Sequence, residues 1–92
     1  MHFVYILRCS DGSYYVGHTE DPETREKVHN EGRGARYTAL RRPVCLVYSE
    51  ATGSLRAAVL RERQIKRWSR TKKEALMAGN TELLKRLARR RN

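Results

Sequence analysis

The sequence predicts an α+β fold, a small three-stranded sheet covered by helices. Three observations carry this reading. Two β-branched and aromatic stretches, HFVYILRC at 2–9 and SYYVGH at 13–18, flank a Ser10-Asp11-Gly12 turn signal and read as a hairpin. A third such stretch, VCLVYS at 44–49, reads as a further strand. Everything after it carries helix starts and stops and no strand pattern.

The helices follow from their ends. At Asp21-Pro22 a helix begins, because Asp21 can accept free backbone N–H groups and Pro22 suits the first helical position. It runs to about Asn30, where Gly32 and Gly34 break it. Residues 35–43 form a basic connector ending at Pro43. Gly53-Ser54 opens a longer helix over 55–68. Thr71 and Glu74 have the spacing of a capping box, so a short helix follows to Ala78. Gly79-Asn80 ends it, and a last helix over 81–90 carries Leu83, Leu84, Leu87 and Ala88 on one side.

The turn sets the sheet register. A two-residue Asp11-Gly12 turn would pair Tyr5 with His18 and put Tyr5 and Tyr15 on opposite faces. A three-residue turn with Gly12 at positive φ pairs Tyr5 with Gly17 and Tyr15 with Leu7, and both tyrosines then share a face. Glycine at the third loop position suits the second geometry, which is the expectation here.

The chain has 92 residues, of which 39% are hydrophobic. That supports one core and excludes a large enzyme with a deep, enclosed pocket. Cys9 and Cys45 stand alone, without the spacing of a zinc site or a disulfide framework. The apolar runs are far short of a membrane span, and MHFVYIL lacks a signal-peptide pattern. A reduced, cytoplasmic protein is expected. The formal net charge is +10, and it is unevenly placed. Residues 1–53 carry seven basic and seven acidic side chains, whereas residues 54–92 carry thirteen and three. A solvated helix surface with a basic Arg89-Arg90-Arg91 tail would account for this. A phosphate-binding face accounts for it better and predicts a nucleic-acid partner rather than a membrane.

Two helices break ordinary patterning. At 100° per residue, Leu55, Ala58, Val59 and Ile65 form an apolar stripe, and Glu62 falls near its centre. A carboxylate there needs a metal, a salt bridge to a buried arginine, or a bend in the stripe that takes it off the core. Arg56, Arg63 and Arg67 lie on the other side as a ridge. The helix over 22–30 has almost no apolar residue besides Val28, yet Arg25 and His29 share one of its faces. Each feature alone is equally a surface detail. Three of the five tyrosines, Tyr5, Tyr14 and Tyr15, lie in the hairpin beside them, either as core aromatics or as phenols of a site.

FVY at 3–5, YVG at 15–17, Arg25 and His29 on the next helix and Glu62 on a later one together resemble the GIY-YIG nuclease superfamily. The small stand-alone bacterial members are the most similar, through VYILRCSDGSYYVG, the Gly34-Ala35-Arg36-Tyr37-Thr38 run, RRPVCLVYSE and RERQIKRWSR. The likeness covers residues 2–76, with 77–92 as a basic helix and tail on the same domain. It implies a three-stranded antiparallel sheet flanked by helices and a Mg²⁺-dependent phosphodiesterase, with Mn²⁺ as a substitute. It also implies roles. Tyr5 would act as general base or position the attacking water, with Tyr15 beside it. Gly17 would permit close backbone approach. Arg25 would hold the scissile phosphate, His29 would orient a tyrosine hydroxyl, and Glu62 would bind the metal. Because free tyrosine has a pKa near 10, such a base needs a cation close by.

Phe3 stands where the family name has glycine. Tyr37 is an additional candidate, and Asn80 is left unassigned. His18 is open between facing the site and facing solvent. Arg36, Arg56, Arg63, Lys66 and Arg67 are expected to grip backbone phosphates of nucleic acid, DNA in preference to RNA. With no separate recognition domain, low sequence specificity is expected, in DNA repair or processing, by a monomer or weak dimer. The alternative is a non-catalytic nucleic-acid-binding module that kept the nuclease fold.

Overall fold

The computed structural model describes residues 1–89, so Arg90 and Arg91 of the expected tail lie outside the described residues. Its sheet has the order β2-β1-β3, with β1 (His2–Arg8) central and antiparallel to both β2 (Tyr14–Thr19) and β3 (Cys45–Thr52). Helices α1 (Pro22–Asn30), α2 (Arg36–Ala39), α3 (Leu55–Lys66), α4 (Arg70–Met77) and α5 (Thr81–Ala88) flank it. The α+β architecture and the three strands are as the sequence predicts.

The hairpin register is the three-residue form. Tyr5 pairs with Gly17 and Leu7 with Tyr15. Gly12 sits at φ 85°, its N–H donates to the Cys9 carbonyl, and the Cys9 N–H donates to the Ser13 carbonyl. Only a residue tolerant of positive φ closes this loop cheaply.

As the central strand, β1 is buried on both faces, which explains its unbroken apolar run from Val4 to Leu7. Val4, Ile6 and Val16 pack on Ala58 and Ile65 of α3. Tyr5, Leu7, Cys9 and Val44 form the opposite cluster, with Tyr15 and Leu46 against it. Full burial of an aliphatic side chain contributes about 1.5–3 kcal/mol, so the few in these clusters dominate the core.

Helix α1 docks by polar contacts, as its composition requires. Asp21 accepts from the Thr24 N–H at its start. Asn30 donates to the Val44 carbonyl at 2.9 Å and accepts from the Val44 N–H at 2.7 Å. Glu26 accepts from the Leu46 N–H at 2.6 Å. These side chains complete the backbone bonding at the start of β3.

Several boundaries differ from the sequence reading. The 35–43 connector contains α2, too short to show any periodicity. Strand β3 continues to Thr52 because His2 and Phe3 of β1 supply partners that far. Helix α3 ends at Lys66, and α5 at Ala88. The cap of α4 is Ser69, whose side chain accepts from the Lys72 N–H. Glu74 does not close a capping box with Thr71, since Tyr14 O–H and Arg70 hold its carboxylate at 2.9 and 3.2 Å. The α3 stripe is narrower than the wheel suggested. Ala58 and Ile65 are buried, but Leu55 is 51% exposed.

Candidate active site

Strand alternation sends Tyr5 and Tyr15 to the α1 side of the sheet and Val16 and His18 to the α3 side. Since β2 is an edge strand, the two sides meet around its rim. Gly17 makes the notch there. A Cβ on Gly17 would stand 2.5 Å from the Tyr5 hydroxyl, so the missing side chain is what lets the phenol lie across the strand.

On the α1 side, the Tyr5 and Tyr15 rings lie 6.4 Å apart, and His29 is 5.9 and 5.1 Å from them. The Tyr5 oxygen is 2.8 Å from His29 Nε2, and His29 Nδ1 is 2.7 Å from Thr38 Oγ1. The Thr38 oxygen also lies 3.1 Å from the Ala35 carbonyl. Two oxygens that close repel unless a hydrogen lies between them, so Thr38 O–H donates to Ala35. Thr38 then accepts from His29 Nδ1–H, which leaves Nε2 with a lone pair facing the Tyr5 O–H. Gly34 backs the imidazole so closely that any side chain there would collide with it.

The electrostatics agree with this proton placement. Burial pushes the Tyr5 phenol up to about 12, only partly offset by a hydrogen bond from Arg25. Burial, with the Arg25 charge beside it, holds His29 below the usual imidazole range. Both groups are therefore neutral at rest. Arg25 also reaches the Gly34 carbonyl, at 3.4 Å.

On the α3 side, Glu62 takes neither a buried arginine nor the core centre. It lies at the margin of the stripe with its side chain 16% exposed. His18 Nδ1–H donates to Oε1 at 2.5 Å and Lys66 Nζ to Oε2 at 2.9 Å. Burial pushes the Glu62 carboxyl up, but Lys66 and His18 outweigh it and hold it below the usual range. It is ionised and close enough to raise the Tyr5 phenol further. The inward arginine on α3 is instead Arg61, which binds Glu50 at 2.7 Å beneath Tyr48.

Tyr5, Tyr15, Gly17, Arg25 and His29 thus come together, Glu62 joins them around the edge, and His18 faces Glu62. Tyr37 stacks on Tyr15 at 6.2 Å, with the Arg41 guanidinium 3.8 Å from the centre of the Tyr37 ring. Lys66 is beside the site rather than on the outward ridge. Arg56 and Arg63 are exposed on α3, Arg67 is exposed at its C-cap, and Arg36 is exposed on α2. Asn80 is not in the site and caps α5 through Leu83 N–H. Sequence reasoning missed Thr38 and Gly34, whose link to His29 has no spacing signature.

Among the described residues no three His, Cys, Asp or Glu side chains converge. The donor set is one ionised, partly exposed carboxylate. This fits a hard cation that keeps most of its waters, as Mg²⁺ does, and does not fit a full protein cage. Among the described residues no helix is long and apolar enough to cross a membrane.

The comparisons agree with the fold. A family model described as the GIY-YIG catalytic domain matches residues 1–75. A UPF0213 protein of Staphylococcus aureus strain Mu3 is 50% identical over 76 residues, which is 83% of this chain and 93% of that protein. The counterpart in strain COL matches to the same extent. The solution NMR structure of a UPF0213 protein from Bacillus halodurans is similar at 47% identity, with a TM-score of 0.54, covering 84% of this chain and 82% of that one.

Proposed function

This chain belongs to the GIY-YIG catalytic-domain family, a nuclease family acting on nucleic acid, and from that premise we propose a divalent-metal-dependent hydrolase of phosphodiester bonds. DNA is the favoured substrate, cut with low sequence preference in repair or processing. The observation that carries this reading is the Tyr5–His29–Thr38 hydrogen-bonded chain beside Arg25 and an ionised Glu62. A protein that only bound phosphates would need the arginines and not this proton path.

The residues divide the work. Tyr5 takes a proton from the attacking water as its own passes to His29 Nε2. Tyr5 begins as a phenol. Forming the phenolate at neutral pH from a group at about 12 would cost about 7 kcal/mol, so the two transfers are concerted. Arg25 binds the scissile phosphate and stabilises the charge that grows on it. Tyr15 and Gly17 shape the space in which the phosphate lies. Glu62 would hold the Mg²⁺ or Mn²⁺, which when bound supplies Lewis-acid polarisation and neutralises charge on the leaving oxygen.

Labelled DNA and RNA of several structures, incubated with Mg²⁺, Mn²⁺ or EDTA, test this beside Glu62→Gln. Metal-dependent cutting is expected, abolished in the variant with binding retained. Binding without cutting in every lane would leave only a nucleic-acid-binding module.

A further inference from the structure

A groove of about 330 Å³ runs along the rim of β2, lined by Tyr14, Tyr15, Val16, Tyr37, Lys66 and Lys73. Its floor, Tyr15, is the ring that touches Tyr5 and His29, so the groove opens directly from the site. Lys66 stands 5.8 Å over that ring. Lys73, on α4, is half-buried and lines the groove, yet among the described residues no carboxylate pairs with it. The two acids nearest are committed elsewhere, Glu62 to His18 and Lys66, Glu74 to Tyr14 and Arg70. Arg63 and Arg67 of the basic ridge line a separate groove with Leu60, Gln64 and Trp68, which does not include Lys73.

A cation that gives up water without gaining a counter-charge is held at a cost, and an incoming anion removes the cost. The geometry points to this groove as the binding track for the substrate strand, with Lys73 taking a backbone phosphate next to the scissile one. This rests on the nuclease reading for its substrate and adds a residue and a direction of approach. Tyr14 and Tyr37 also line the track, with Tyr37 stacked on Tyr15. Burial also holds the Lys73 ammonium below its usual range, and a bound phosphate would restore it.

The test is the affinity of the full chain for a fluorescein-labelled DNA oligonucleotide, with Ca²⁺ in place of the cutting metal, between about 50 and 200 mM salt. Lys73→Met keeps the apolar stem and removes the charge. It should weaken binding roughly 5- to 10-fold at ~0.1 M salt and reduce the salt slope by about 0.7–0.9, one phosphate's worth. Lys73→Arg should restore both. Lys27→Met, an exposed lysine on α1 away from the groove, should change neither. An unchanged slope in Lys73→Met, or an equal loss in Lys27→Met, overturns the proposal. Because the readout is binding, a protein that binds through Lys73 but never cuts would sink only the hydrolytic reading. Cutting with Lys73 silent would sink only this one.

Discussion

Replacing Thr38 with valine deletes one hydroxyl from a buried chain of three groups while keeping the side-chain shape. His29 Nδ1–H then faces a methyl group in a fully buried position. The imidazole can escape by moving its proton to Nε2, where it would donate to the Tyr5 oxygen. That tautomer cannot receive the Tyr5 proton. Regaining the competent tautomer means leaving a buried N–H unpaired, at about 1–3 kcal/mol. The cutting rate should fall roughly 5- to 150-fold by that cost alone. Single-turnover cleavage gives the rate, and nitrogen chemical shifts of labelled histidine report which ring nitrogen carries the proton. Wild type should show Nδ1 protonated and the variant Nε2, with Thr38→Ser returning both properties. A variant cutting at full rate with Nδ1 still protonated would refute the proton path.

Other outcomes follow from the same geometry. Arg25→Ala should lower kcat by ~10²–10³ under saturating DNA, as expected for a group acting mainly on the transition state. Gly17→Ala places a methyl against the Tyr5 hydroxyl and should cost about 1–3 kcal/mol in urea unfolding together with most activity. Stability should be pH-sensitive on the alkaline side. Tyr5 is raised from 10.0 to about 12 in the folded chain, so its contribution is full below pH 10 and is lost as pH rises through about 12. Tyr5→Phe should flatten that part of a urea-denaturation series. Asn30→Leu removes two hydrogen bonds to Val44 and should cost about 2 kcal/mol or more, with faster amide exchange in α1.

What could be read in advance was local. Gly12 closes a three-residue loop only one way, and that single turn determined which tyrosines share a face. Asp21-Pro22 marked α1 to the residue because capping and the proline ring act within one turn. The N-cap of α4 was misplaced where two hydroxyl residues, Ser69 and Thr71, lie two apart and Tyr14 draws Glu74 away. The partners of Glu62 were out of reach for another reason. His18 lies 44 positions away, and nothing along the chain says which cation fills a given carboxylate oxygen. The same holds for Thr38 on His29 and for the unshared charge of Lys73, which depend on how α2 and α4 fall against the hairpin. The family motifs carried the site's membership, and only the packed structure supplied its proton order.

The rim position of the centre has a bearing on when the protein can act. Its phenols arrive with the hairpin and its imidazole with α1, while the acid arrives only when α3 has closed over the opposite surface. On the proposed reading, a copy missing either layer would keep its arginines but not the acid beside the phenols. Scission would then be reserved for the fully assembled polypeptide.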